Sequence, residues 1–73
     1  MYKFFVENKQ IEGDQITISG EDVNHIKNVL RLNVGEDILV CNRETEITYV
    51  CCIQNFHAFE VNCVILKENK ETV

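Results

Sequence analysis

The sequence predicts a mainly β domain of α+β type: a small, partly closed β-barrel of about five strands with one helix between the second and third. Three observations predict it. Several short stretches alternate apolar and polar residues with a period of two, as half-buried strands do. One stretch alone, beginning at Gly20, spaces its apolar residues as a helix does. The last three predicted strands follow one another through short turns, and such a sheet cannot leave its apolar face open to water. The first two strands and the helix must cover that face. Curling the sheet into a barrel plugged at one end by the helix does so. An open α+β sandwich is the alternative arrangement.

Tyr2–Val6 is a short apolar run and reads as the first strand. Asn8–Asp14 is polar, with Gly13-Asp14 as a turn signal. Gln15–Ser19 alternates with β-branched residues and reads as the second strand. Ser19-Gly20-Glu21-Asp22 fits the Ser-x-x-acid capping pattern, and its acids suit the positive end of a helix dipole. Val23, Ile26, Val29 and Leu30 then predict a helix of about three turns, from Gly20 to Leu30 or Arg31. Asn33–Glu36 turns the chain into a third strand, Asp37–Cys41. Asn42-Arg43-Glu44 is a hairpin loop. Glu46–Gln54 puts Ile47, Tyr49, Cys51 and Ile53 on one face. After a turn at Asn55–Ala58, Phe59–Lys67 puts Phe59, Val61, Cys63 and Ile65 on one face. The expected core is Phe4, Val6, Ile16, Ile18, Val23, Ile26, Leu30, Ile38, Val40, Ile53, Val61 and Ile65. The barrel is expected over residues 1–67, and 68–73 as a polar tail or the start of a linker.

At 73 residues there is room for one domain. Apolar residues make up 45%, enough to fold. No apolar run approaches the ~20 residues that cross a bilayer, and the apolar start is too short for a signal peptide. The expectation is a cytoplasmic chain without membrane contact. Cys41, Cys51, Cys52 and Cys63 all fall in apolar, strand-like runs, and no Cys-x-x-Cys occurs. Cys51 and Cys52 point to opposite faces of a strand. These are expected to be reduced, structural thiols that hold no metal. With a histidine they make no recognisable catalytic site.

The net charge of −5 runs against nucleic-acid binding, which leaves a basic footprint. The acids fall largely in turns and near the chain ends, so any RNA surface must be local or be completed by another part of the protein. The segment His25–Leu32 supplies such a local patch. On a helical wheel, Val23, Ile26 and Leu30 share one stripe. Lys27 and Arg31 are i,i+4 neighbours on one flank of it, with His25 on the other. Arg grips phosphate with a bidentate fork and Lys with a point charge. From spacing alone, a solvated helix face is the simpler reading.

Lys3-Phe4-Phe5-Val6 at the start, His25-Ile26 and Val29-Leu30-Arg31 on a capped helix, and Gly35-Glu36-Asp37 before an apolar strand resemble the N-terminus of the RsmE family. The resemblance covers almost the whole chain. It implies a PUA-like β-barrel that binds RNA, followed in the full-length enzyme by a knotted SPOUT domain. That second domain binds S-adenosylmethionine, forms a homodimer and methylates N3 of a uridine in 16S ribosomal RNA. The resemblance thus implies that this chain positions the RNA of the small ribosomal subunit. It implies no catalytic, cofactor-binding or metal residue in the chain itself. The implied RNA-binding residues are Lys3, His25, Lys27 and Arg31, joined by Arg43. Some positions depart from the family pattern. Lys3 stands where Arg is commoner, Asn28 where a base is frequent, and Asn42-Arg43 where an Asp-Gly-like turn is usual. The competing function is a protein-contact module that packs on the catalytic domain or dimer partner with little direct RNA contact. The acidic balance favours the second reading and the basic helix flank the first.

Overall fold

Alternation of apolar and polar residues forms strands close to where the sequence places them. The computed structural model describes residues 1–69. Its strands are β1 (Lys3–Val6), β2 (Ile11–Glu12), β3 (Gln15–Ser19), β4 (Asp37–Asn42), β5 (Thr48–Phe56) and β6 (Glu60–Glu68). A short helix, α1 (Glu21–Asn24), runs directly into a π-helical turn, His25–Val29. All six strands join one sheet in the order β1-β4-β5-β6-β3-β2. The β1–β4 pair is parallel and every other pair antiparallel.

Simple geometry makes this sheet curl. Val6 ends β1 at one edge, and Ile11 starts β2 at the other. The chain between them reaches at most about 18 Å, and less because Asn8–Gln10 is a 3₁₀ turn. Flat, six strands would hold their edges about 24 Å apart. The sheet must therefore bend into a half-barrel. Two bulges in β5–β6 help: Gln54 and Leu66 are each an extra residue in the ladder. Hydrogen bonds then tie the edge connection down. The Asn42 side chain donates to Asn8 Oδ1 (3.1 Å) and accepts from the Glu44 N–H (2.9 Å). The Asn8 N–H donates to the Glu44 carboxylate (2.7 Å). Asn42 is buried, and these bonds satisfy its amide.

The inner face carries Phe4, Val6, Ile16, Ile18, Ile38, Val40, Ile53 and Val61, with Val23 and Ile26 capping it from the helix. Leu30 and Ile65, expected in the core, are half-buried and pack against its margin. Cys51 and Cys63 complete the buried cluster. All four cysteines are unbridged. Burial pushes the Cys51 and Cys63 thiols up to about 12, Cys63 also through the nearby Cys51 and Cys52. At neutral pH they are protonated side chains that fill space and are poor nucleophiles.

Four details differ from the sequence reading. The two-residue β2 pairs with β3 where a polar connection was expected. Gly20, at φ 78°, is the N-cap, and no side chain caps the helix, so Ser19 does not play that part. The helix is also shorter and wider than expected. The Leu30 N–H bonds to His25 O (2.8 Å) and the Leu32 N–H to Ile26 O (3.0 Å), five and six residues back. In a straight α-helix Leu32 would stand about 240° round from Ile26, away from the core. The widened turn lets both leucines pack on it. Last, Phe59 precedes β6 in the turn and is 82% exposed, so it does not continue the inward row of Val61 and Cys63. Glu68 closes β6, and the Asn69 N–H donates to Thr48 O (2.7 Å). The rest of the expected tail, 70–73, lies outside the described residues.

Candidate nucleic-acid interface

The parallel pairing of β1 with β4 assembles the first group of candidate residues. Lys3 and Phe5 alternate with the buried Phe4 and Val6, so both stand on the outer face of β1. Cys41 is opposite Phe5, and the Arg43 N–H donates to Val6 O (2.9 Å) just beyond β4. The Phe5 ring consequently has two cations near it. Lys3 Nζ is 5.6 Å and the Arg43 guanidinium carbon 5.7 Å from its centroid. The ring is half-exposed, and both cations are exposed.

His25 opens the π-turn and meets Phe4 edge-on, with ring centroids 6.4 Å apart. It shares a surface hollow of about 270 Å³ with Tyr2, Lys3, Glu21 and Asp22. Lys3 thus links the Phe5 cluster to His25. The two acids come from the first turn of α1, where they complement the helix dipole.

Lys27 is on the other side of the helix. Its ammonium donates to the His57 carbonyl (2.6 Å) and lies 5.9 Å from the Phe56 centroid, which ties the π-turn to the end of β5. It borders a larger cleft, about 500 Å³, lined also by Asn24, Asn28 and Phe59. Arg31 lies beyond the helix. It is exposed and takes a left-handed φ of 53°, uncommon outside glycine. The i,i+4 pairing of Lys27 with Arg31 on a regular helix is therefore not the local geometry. The structure brings Lys3 and Arg43 to Phe5 and Lys3 to the hollow of His25, places Lys27 across the helix and leaves Arg31 past its end.

These positions suit gripping an anion. An Arg guanidinium can offer phosphate a fork and a Lys ammonium a point charge. Among the described residues no group of three or more His, Cys, Asp or Glu is placed to hold a metal ion. The aromatic residues at this surface were the part the sequence reading missed. The outward place of Phe5 follows from the two-residue period of a strand once Phe4 and Val6 face inward. Phe59 was not legible, because its neighbours on the inward face continue the same period.

The half-barrel with its helix plug defines a small PUA-like domain. Residues 18–62 match the model of the RNA methyltransferase PUA domain. The chain belongs to this family of RNA methyltransferase PUA domains. It is 34% identical, over 97% of its length, to ribosomal RNA small subunit methyltransferase E of Bacillus subtilis, and spans 30% of that protein. Two solved structures share the fold. A predicted RNA methyltransferase of Thermotoga maritima superposes with a TM-score of 0.80 at 15% identity, over 99% of this chain and 31% of that one. The methyltransferase E of Neisseria gonorrhoeae, bound to S-adenosyl methionine, superposes at 0.78 with 20% identity, over 97% of this chain and 28% of that one.

Proposed function

We propose that this domain holds ribosomal RNA for a methyltransferase that modifies N3 of a uridine in 16S ribosomal RNA, with the chemistry performed by a catalytic domain outside this chain. The observation that carries the reading is the family match together with Lys3 and Arg43 beside an exposed Phe5, with His25 in the hollow that Lys3 shares. The chain covers under a third of its curated relative, so the parent's activity is part of the proposal. In that parent S-adenosylmethionine supplies the methyl group. The residues described do not fit this donor: fully buried isoleucines and valines fill the interior of the half-barrel, and the two hollows are surface features. The proposed setting is the cytoplasm, with the small ribosomal subunit as partner and a homodimeric parent.

Contact is proposed to be mainly to phosphate, which positions RNA without reading its sequence. The test is binding of the chain to a 16S ribosomal RNA fragment at low salt, with Lys3→Glu and Arg43→Glu variants beside the wild type. Removing one phosphate-binding cation should lower the slope of log affinity against log salt by roughly 0.7–0.9. Wild-type affinity and slope in both variants would overturn the reading. The net charge of −5 supports the second reading, a module that docks on the catalytic domain. That reading gains if the variants no longer associate with the catalytic domain and keep RNA.

A further inference from the structure

The cleft beside Lys27 has features that phosphate contact does not use. We infer that it receives a single unpaired RNA base, stacked on Phe59 and bonded at its edge by the Asn24–Asn28 pair, with Lys27 beside its phosphate. This rests on the RNA-holding reading above and names a subsite for it.

Phe59 is the first argument. A phenyl ring 82% exposed at a turn contributes almost nothing to the core, which Val61 and Cys63 fill from the next inward positions. A lone exposed ring on a cleft wall is a stacking platform, and stacking accepts any base because each has a π-face. The second argument is the amide pair. Asn28 Nδ2 donates to Asn24 Oδ1 (2.7 Å), which fixes the two side chains against each other one turn apart on the exposed side. The bond leaves one carbonyl oxygen and one amino group over. An unpaired base offers donors and acceptors on its Watson–Crick edge, which a duplex hides. Charge is the third. Lys27 lines the cleft and, among the described residues, no carboxylate does, in a chain with twelve acids. The Lys27 ammonium carries three donors, and His57 O takes one. A polyanion is the complementary occupant. The volume, about 500 Å³, is within the range of small-ligand sites, roughly 300–1,000 Å³.

The test uses the chain and a single-stranded RNA hexamer carrying a fluorescent base, at low salt. Stacking is worth about 1–3 kcal/mol per base, so Phe59→Ala should weaken binding about 5- to 150-fold. Phe59→Trp should hold wild-type affinity. The salt slope should be the same in Phe59→Ala as in wild type, since stacking releases no counterion. Asn28→Asp, which places a carboxylate in the cleft, should also weaken binding. Unfolding midpoints of the Phe59 variants should match wild type because the ring is exposed. If the chain binds no RNA at all, the RNA-holding reading falls and this inference with it. If RNA binds but Phe59→Ala is as tight as wild type, or a fully paired duplex binds as well as the single strand, the base site alone is overturned. The same holds if Phe59→Ala keeps RNA and no longer binds a catalytic domain, which makes the cleft a protein-docking surface.

Discussion

On one side of the helix His25 and Lys3 share a hollow with Glu21 and Asp22; on the other, Lys27 borders a cleft with Asn24, Asn28 and Phe59 and, among the described residues, no carboxylate. Both sides hang on the same buried anchors, Val23 and Ile26. Position along the helix explains the difference. Acids belong in the first turn, where the dipole is positive, and there they serve helix formation. An anion approaching the His25 side meets them; one approaching Lys27 does not. The net charge of the chain therefore says little about either face. Helix stability and anion contact compete on one flank and are separated on the other.

Removing the shared anchor should break both flanks together. Ile26→Ala should cost about 2–5 kcal/mol, a large part of the stability of so small a domain. Leu30→Ala, at the half-buried margin, should cost about 1–2 kcal/mol. Urea denaturation measures both. Equal costs would mean that the π-turn packs through Leu30 as much as Ile26, and that the two flanks do not share one anchor.

A second measurement asks whether the interior beneath both flanks stays sealed. Cys51 and Cys63 titrate near 9 when exposed and near 12 in the fold. Below pH 9 folded and unfolded chains both keep these protons, and stability does not depend on them. Between pH 9 and 12 the unfolded chain releases them and the folded chain does not, so stability falls as pH rises. The urea midpoint should be flat from pH 7 to 8.5 and lower at pH 10, with a smaller drop in Cys63→Val. Quick alkylation of Cys51 or Cys63 in the native chain at pH 8 would show that the interior opens.

Much of this was legible in the sequence because it depends on period alone. The alternation of Phe4 and Val6, of Ile16 and Ile18, and of Ile38 and Val40 placed three strands and half of the buried cluster. The helical spacing of Val23 and Ile26 placed the plug. What was not legible depends on distant partners. The parallel seat of β1 beside β4, which brings both Lys3 and Arg43 to the Phe5 ring, is set by how the sheet closes. The widening after His25 follows from the demand of Leu30 and Leu32 for the same core. It is this widening that carries Arg31 off the wheel position that paired it with Lys27. Phe59 continues an apolar period that the turn interrupts, and a period cannot reveal where a turn ends.

The smallest expected effect bears most directly on the difference between the flanks. Glu21→Gln with Asp22→Asn removes the two carboxylates from the hollow that His25 and Lys3 share. If that side faces RNA, as proposed, low-salt affinity for a 16S ribosomal RNA fragment should rise by about 2- to 5-fold, the range expected of exposed charges. The gain should fade as salt rises and the Debye length shrinks below about 8 Å. The same variant should lose about 0.3–1 kcal/mol of stability, because the helix start gives up its favourable acids. The two changes have opposite signs, so a general loosening of the domain cannot imitate them. Glu12→Gln, on the short edge strand β2, is the control for net charge alone. Glu12→Gln removes one charge where the pair removes two, so a gain in log affinity half that of the pair would make the effect a matter of overall charge. No gain with the pair, while Lys27→Ala still weakens binding, would move the RNA contact wholly to the Lys27 side and take Lys3 and His25 out of the interface.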